Sequence, residues 1–268
     1  MILKDKVVIV TGASSGFGKD ASWKFACEGC KVVLAARRLD RLETLAGEIR
    51  ENGGIAFPVQ VDLGIQADIE NLVDTVLKEF GQVDVLFNNA GFGRLDWLEN
   101  LDESVDIDAM LNVNLRGLIQ LTRKVLPSML EKRSGVIINM SSIAGMVAAP
   151  LYSIYSATKY GVRGFTEALR REVRPFGIQV CGIYPGGAAT EFSRHSGNSE
   201  FKRKVKTPKF IRMTSEYVAQ KAVNLARHPR RSVVIPYWMY PVIWVNWHFP
   251  WLTDLSVSGM VKKYHHLP

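Results

Sequence analysis

The stretch at residues 7–18, VVIVTGASSGFG, decides the fold of this 268-residue chain. Its apolar beginning predicts a short buried strand that ends at Thr11 and Gly12. Glycines at positions 12, 16 and 18 then lead into a helix predicted over residues 16–28. Glycines let a phosphate approach the backbone, and the start of a helix offers N–H groups that bind it. The stretch therefore predicts a phosphate-binding loop, although its G-x-x-x-G-x-G spacing differs from the standard G-x-G-x-x-G fingerprint.

The rest of the chain alternates between predicted strands and helices. Strands are predicted at residues 31–36, 55–61, 83–88, 136–140, 178–184 and 232–235, and helices at 39–52, 66–80, 104–126, 154–173 and 214–227. The helix over 104–126 should end near Pro127, because proline interrupts helical hydrogen bonding. Strands separated by helices predict an α/β fold, a single doubly wound, Rossmann-like parallel sheet of about seven strands flanked by helices. We expect this domain over residues 1–237 and an apolar C-terminal extension over 238–268.

The composition favours negatively charged partners, but it does not identify which kind. The chain carries 34 Lys and Arg against 26 Asp and Glu, a formal charge of +8 that suits an anionic cofactor, an acidic carrier protein, a lipid surface or nucleic acid. We expect no nucleic-acid binding, because no segment resembles a reading helix or an aromatic base-binding platform. Cys27 and Cys30 match C-x-x-C, but no second Cys or His pair completes a zinc site, so we expect no metal. Three cysteines and an N-terminus without a signal-peptide pattern predict a cytoplasmic protein.

Three residues predict a proton-transfer site. Tyr155 and Lys159 are four residues apart in YSATK, and Ser142 lies 13 residues before Tyr155. Residues at this spacing share a helix face, so the ammonium should lower the pKa of the phenol and let it exchange a proton near neutral pH. Ser142 offers a hydroxyl that can hold a substrate oxygen. A packing tyrosine and a solvated lysine are the alternative interpretation of the pair.

The predicted end of the second strand indicates which ribose is bound. Arg37 and Arg38 occupy the position where a carboxylate would accept a hydrogen bond from a free ribose 2′-hydroxyl. Two guanidiniums at this position instead favour a ribose that carries a 2′-phosphate. The sequence therefore favours NADP(H), with NAD(H) less favoured and a solvated basic turn as the alternative. Asp62, at the end of the third strand, can accept a bond from the adenine amino group, or can cap the turn before Gly64.

These segments, taken together, resemble the classical short-chain dehydrogenase/reductase family. The motifs that carry the resemblance are TGASSGFG at 11–18, NNAG at 88–91, NVNLRG at 112–117, MSSIAG at 140–145, YSATK at 155–159 and PGG at 185–187. They occur in the family's order and cover residues 4–235. Ala188 departs from the pattern, because the family usually has valine or isoleucine at that position.

The resemblance implies a role for each matching residue. Tyr155 is implied to be the acid/base, Lys159 to lower its pKa and hold the nicotinamide ribose, and Ser142 to anchor the substrate oxygen. Asn114 is implied to hold a water that links Lys159 to a proton relay. The residues expected to contact the cofactor are Gly12, Ser14, Ser15, Gly16, Phe17, Gly18, Arg37, Arg38, Asp62, Leu63, Asn89, Ala90, Gly91, Tyr155, Lys159, Pro185, Gly186 and Thr190.

The function that these expectations imply is NADP(H)-dependent hydride transfer to or from a carbonyl or secondary alcohol. The expected substrate is small and apolar, such as a ketone, a steroid or a lipid-like molecule. A narrower alternative is a 3-oxoacyl-(carrier protein) reductase, and an alternative of another class is a catalytically silent NADP-binding regulator. The resemblance also implies a homodimer or homotetramer.

The C-terminal part falls outside these motifs. Residues 233–252, VVIPYWMYPVIWVNWHFPWL, are apolar at fifteen of twenty positions and hold four of the six tryptophans. Their three prolines disfavour a regular membrane span. A peripheral membrane contact, a lid over an apolar substrate, core burial and a subunit interface all stay open. Residues 201–212 carry six basic side chains, which indicates either a solvated face or docking to an acidic carrier or anionic headgroup.

Overall fold

The computed structural model describes residues 1–187 and 213–264, with side chains as far as Ser258. Its seven strands form one parallel sheet in the order β3-β2-β1-β4-β5-β6-β7. The strands are β1 (Val7–Thr11), β2 (Lys31–Ala36), β3 (Ile55–Gln60), β4 (Val85–Asn88), β5 (Gly135–Met140), β6 (Ile178–Pro185) and β7 (Ser232–Ile235). The predicted α/β fold is confirmed. Thr190 and residues 201–212 lie outside the described residues.

Helices cover both faces of this sheet. They are α1 (Gly16–Cys27), α2 (Leu39–Glu51), α3 (Gln66–Phe80), α4 (Leu118–Lys132), α5 (Ser153–Val173), α6 (Ser215–Arg227), α7 (Met239–His248) and α8 (Pro250–Tyr264). Successive side chains of a strand point to opposite faces of the sheet, so β1 contributes to the hydrophobic core on each face. Val8 and Val10 pack with α1, α2 and α6, whereas Val7 and Ile9 pack with α3, α4 and α5.

The order of the strands places a cleft at their carboxyl ends. β1 pairs with β2 on one side and with β4 on the other, so the crossovers leave the centre of the sheet in opposite directions. Ligands of doubly wound sheets bind at this switch point. The loop after Thr11, the loop after Asn88 and the segment after Met140 all open at this edge.

The expected helix end near Pro127 is wrong, because α4 continues to Lys132. Pro127 is exposed, so the hydrogen bond that its ring removes lies on the solvent side, where water can replace it. Val125 and Met129 on the opposite side are buried and keep the helix against the sheet. Packing therefore overrides the local signal.

The helix predicted to begin near residue 104 is also less regular than expected. The chain forms a π-helical turn at Glu103–Asp108, a short α-helix at Ala109–Leu111 and a second π-helical turn at Asn112–Gly117, and only then enters α4. Wide turns of this kind are frequent at functional sites. The second of them contains Asn114.

The C-terminal extension forms two helices joined at Phe249. We call residues 237–258, which comprise the turn before α7, α7 itself and the first part of α8, the aromatic hairpin. Ile243 is buried with Met146, Tyr184 and Val234, and this contact fixes α7 beside the sheet. Trp247 adds a hydrogen bond from Nε1 to the Met146 carbonyl at 3.0 Å.

Most large side chains of the aromatic hairpin are not buried. The exposed ones are Tyr237, Trp238, Tyr240, Val242, Trp244, Trp247, Phe249, Trp251, Leu252 and Leu255. Core burial is therefore the wrong explanation for these side chains. Among the described helices, none combines the length and the apolar character that a membrane crossing requires.

A buried carboxylate joins the amino ends of the central strands. Asp84 is 2% exposed and accepts hydrogen bonds from the Val7 amide at 2.9 Å, Lys132 at 2.8 Å and Gln82 at 2.9 Å. Burial alone would raise the pKa of Asp84, but the bonds from Lys132 and Val7, with Lys6 nearby, outweigh it and hold the pKa below its ordinary value. The ionised carboxylate is thus part of the folded structure.

We predict that Asp84→Asn lowers the free energy of unfolding by about 1–3 kcal/mol at neutral pH, because Lys132 loses a buried charged partner. The folded-state pKa of Asp84 is depressed, so its contribution is present above the unfolded value and is lost as pH falls through the folded value. Urea unfolding curves at pH 7 and below about pH 4 should show the gap between the two proteins narrowing.

Asp74→Asn is the matched control, since its pair with Lys124 is exposed and should contribute less than ~1 kcal/mol. Equal effects of the two substitutions would contradict the role given to Asp84.

Candidate active site

A cleft of about 1040 Å³ opens at the carboxyl ends of the strands. Most of the predicted site residues line it: Gly12, Ser14, Ser15, Gly16, Phe17, Arg37, Arg38, Asp62, Leu63, Asn89, Ala90, Gly91, Ser142, Tyr155, Lys159, Pro185 and Gly186. Gly18 and Asn114 lie behind this lining, and Thr190 lies outside the described residues. The structure thus brings residues from six separate sequence motifs to one cavity.

The glycine-rich loop forms one end of the cleft. Gly12 and Gly16 have φ values of +68° and +52°, in the left-handed region that favours glycine. A Cβ at Gly18 would lie 2.3 Å from the Gly12 carbonyl oxygen and 2.7 Å from the Asn89 amide nitrogen. The loop therefore folds tightly onto the start of α1, and the predicted strand–loop–helix arrangement is observed.

Thr11 joins this loop to the end of β4. Its hydroxyl oxygen accepts hydrogen bonds from the Asn89 amide at 2.9 Å and the Ala90 amide at 3.0 Å. The Asn89 side chain donates to the Thr11 carbonyl at 2.9 Å. These bonds hold the two loops of the switch point together.

Two arginines follow β2 at the same end of the cleft. The Arg38 guanidinium reaches the glycine-rich loop, where its Nη2 lies 3.0 Å from the hydroxyls of both Ser14 and Ser15. Arg37 is more exposed and lies 3.9 Å from the Asp62 carboxylate. Asp62 also accepts a bond from the Gly64 amide at 2.8 Å, so the turn-capping role is present and the side chain still faces the cleft.

The predicted trio meets at the other end of the cleft. Tyr155 and Lys159 lie on α5 and are 9% and 3% exposed, so neither is a solvated surface residue. The Lys159 Nζ is 5.5 Å from the centre of the Tyr155 ring and donates to the Met140 carbonyl at 3.0 Å. The Ser142 side chain hydrogen-bonds the Tyr155 hydroxyl. Tyr155 and Lys159 thus lie on one face of α5, as their spacing predicts, and Ser142 reaches them from the segment after β5.

The acidity of Tyr155 differs from the sequence-based expectation. Burial raises its pKa, because the phenolate would lose its hydration; the hydrogen bond with Ser142 opposes this effect, and Tyr152 adds to it. The expected lowering by Lys159 is wrong for this structure. Burial also lowers the pKa of Lys159 to about 8, so the ammonium predominates at neutral pH.

Asn114 lies in the wide turn at Asn112–Gly117 and is fully buried. Its side chain accepts a bond from the Phe92 amide at 2.9 Å and donates to the Phe92 carbonyl at 2.7 Å. A Cβ built on Gly91 would lie 3.0 Å from Asn114 Oδ1 and 3.3 Å from Lys159 Nζ. Asn114 therefore holds the wall of the cleft beside Lys159.

Several residues that line the cleft belong to none of the sequence motifs. Tyr152 immediately precedes α5, and its ring centre lies 5.6 Å from that of Tyr155. Its position three residues before Tyr155 is a spacing that places two side chains on the same side of a helix, so the sequence did indicate this contact. Phe92 and Arg94 line the same region, and Arg94 pairs with Asp106 at 2.8 Å. No motif marks Arg94, because it comes from an irregular loop.

A model of the short chain dehydrogenase family matches residues 6–200 of the chain. A 3-oxoacyl-acyl-carrier-protein reductase of Synechocystis is 38% identical over 194 residues, which cover 72% of this chain and 78% of that protein.

Solved structures share the architecture. A short chain dehydrogenase/reductase from Burkholderia phymatum in complex with NAD superposes with a TM-score of 0.85 at 26% identity, covering 94% of this chain and 96% of the other. An alcohol dehydrogenase from the archaeon Thermococcus sibiricus, complexed with 5-hydroxy-NADP, gives a TM-score of 0.77 at 26% identity, covering 87% and 96% respectively.

We predict that Gly18→Ala weakens binding of NADPH at least tenfold, about 1.4 kcal/mol, because the new Cβ would displace the Gly12 carbonyl. Isothermal titration with NADPH and NADH measures the effect. Gly164→Ala is the matched control: its Cβ meets nothing within 4 Å on α5, so binding should stay unchanged. Unchanged affinity in the Gly18 variant would show that the loop is not the phosphate site.

Proposed function

The chain belongs to the short-chain dehydrogenase/reductase family, and we propose from this premise that it is an NADP(H)-dependent oxidoreductase acting on a carbonyl or secondary alcohol. One observation carries the proposal. The Tyr155 hydroxyl lies in the cleft with Ser142 hydrogen-bonded to it and the Lys159 ammonium beside its ring. Such a group can exchange a proton with a substrate oxygen.

The cleft fits a nicotinamide dinucleotide in shape and in chemistry. Its glycine loop packs closely on the start of α1, where a Cβ at Gly18 would meet the Gly12 carbonyl, and helix N-termini of this kind bind a pyrophosphate. Gly12, Ser14, Ser15 and Gly16 would hold the phosphates, and Lys159 the nicotinamide ribose. When bound, the cofactor supplies the hydride.

The residues around the reacting carbon have complementary tasks. The raised pKa of Tyr155 keeps its phenol protonated at neutral pH, so it can donate a proton to a carbonyl oxygen during reduction. Ser142 holds the same oxygen in place. The Lys159 ammonium then stabilises the phenolate that the donation leaves. Oxidation of an alcohol uses the reverse proton transfer.

Arg38 supports NADP(H) over NAD(H). Its guanidinium points at the phosphate loop between Ser14 and Ser15, where a 2′-phosphate would receive charge-assisted bonds. Arg37, on the rim, adds a second positive charge. The related structures contain both cofactor types, so this preference rests on the arginines of this chain.

The substrate that we propose is small and apolar. Phe92, Ile143, Ala144, Ala149 and Tyr152 line the cleft around Tyr155 and Ser142. The likeness to a 3-oxoacyl reductase supports a 3-oxoacyl thioester as the narrower candidate. We also propose that the protein works as a homodimer or homotetramer, as the family implies.

We predict that Tyr155→Phe lowers kcat for NADPH-dependent ketone reduction by at least ~10²-fold, because the proton donor is removed. NADPH oxidation at 340 nm, followed over simple ketones, steroids and 3-oxoacyl thioesters, measures the effect and ranks the substrates. Tyr160→Phe is the matched control, since Tyr160 is on the same helix and 38% exposed.

Normal turnover by the Tyr155 variant would refute its role as the acid. Tight NADPH binding by the unmodified protein without turnover of any carbonyl would favour the regulator.

We predict that Arg38→Gln weakens NADPH binding by about 10- to 100-fold and leaves NADH binding unchanged, because only NADPH carries the 2′-phosphate. Titration of both cofactors measures the two dissociation constants. Arg123→Gln, an exposed arginine on α4, is the control and should change neither. An equal loss for both cofactors would show that Arg38 supports the loop rather than selecting the ribose.

A further inference from the structure

The aromatic hairpin exposes an apolar surface that the reaction does not use. Ten large apolar side chains at its described positions are between 39% and 78% exposed, and none of them lines the cleft. Four are tryptophans and two are tyrosines, side chains that favour the boundary between lipid and water. Contiguous exposed apolar surface of this kind marks a contact with a partner.

These side chains are distributed around the helix rather than along one face. Each residue of an α-helix turns by about 100°, so Tyr240 and Val242 point to nearly opposite sides of α7. Both are exposed, at 50% and 42%, and Trp244 lies close to the direction of Tyr240. The exposed apolar surface therefore extends around α7, and a lipid interface can take up apolar side chains to a depth of about 5–10 Å.

An arginine cluster adjoins the hairpin. Arg163, Arg171 and Arg231 lie 3.3, 3.7 and 3.4 Å from the carboxylate of Glu167, and Arg170 interacts with it electrostatically. Four guanidiniums surround one carboxylate, so the cluster carries an excess of positive charge. The side chains of Arg171 and Arg231 are 70% and 64% exposed, which makes that charge available at the surface.

The two features are physically joined. The Arg163 guanidinium stacks over the Trp247 ring at 4.2 Å, so the cluster begins where the exposed aromatics end. Aromatic side chains next to guanidiniums match a lipid surface, since the rings enter the interfacial layer while the cations contact phosphates.

We propose that the aromatic hairpin and the adjoining arginine cluster dock this protein on an anionic lipid surface. The rings of Trp244, Trp251 and their neighbours lie in the interfacial layer, and Arg171 and Arg231 contact the headgroup phosphates. A second copy of the chain fits less well. A two-fold interface uses the same patch of both copies, so it would include two positively charged arginine clusters and no opposing acidic patch among the described residues of the hairpin.

The test is co-sedimentation of the full chain with vesicles of phosphatidylcholine alone and of equal parts phosphatidylcholine and phosphatidylglycerol. We expect binding to the anionic vesicles. The double variant Trp251→Glu, Leu255→Glu should weaken it at least ~10²-fold, because apolar insertion is replaced by charge. The double variant Arg171→Gln, Arg231→Gln should weaken it about 30-fold, from the loss of two surface charges.

The matched control is the double variant Ile2→Glu, Ile55→Glu, which makes the same charge change at exposed apolar positions away from the hairpin and should bind like the unmodified protein. Sedimentation velocity without lipid reports the second-copy alternative. No binding to anionic vesicles, or an oligomer that dissociates only in the Trp251 Leu255 variant, would overturn the proposal. Ketone reduction measured without vesicles stays a separate readout, because none of the substituted residues lines the cleft.

Discussion

The hydroxyl of Thr11 is the point on which the cleft depends. It sits at the end of β1 and accepts the amides of Asn89 and Ala90, so it ties the glycine loop to the loop after β4. These two loops leave the sheet at the place where the crossovers change direction. Together with the bond from the Asn89 side chain to the Thr11 carbonyl, that tie fixes the separation between the glycine-rich loop and the wall that carries Gly91.

Burial sets the acid–base properties at the other end of the cleft. The same loss of hydration that raises the pKa of Tyr155 lowers that of Lys159, so burial moves the two pKa values apart. At neutral pH, α5 therefore carries a protonated phenol next to an ammonium group whose pKa is lowered to about 8. The Met140 carbonyl orients the ammonium and the Ser142 hydroxyl orients the phenol, so both groups are held in place before any ligand binds.

The fold and most of the site were predictable because their signals are local. Apolar runs, glycine spacing and the i, i+4 pair at Tyr155 and Lys159 each depend on neighbours in sequence. The direction of the Tyr155 pKa shift could not be predicted from the sequence, because desolvation depends on how deeply the folded chain buries the phenol. The predicted helix end at Pro127 was wrong because it ignored tertiary packing: the buried Val125 and Met129 keep α4 against the sheet beyond the proline. The exposure of the hairpin likewise follows from where α7 attaches.

That attachment gives the C-terminal helices a mechanical connection to the chemistry. The Trp247 indole bonds the carbonyl of Met146, four residues after Ser142 on a short segment with little slack. A displacement of α7 must either break this bond or pull the segment that carries Ser142. Truncation before α7 would therefore free the segment that carries Ser142 as well as remove an exposed apolar surface.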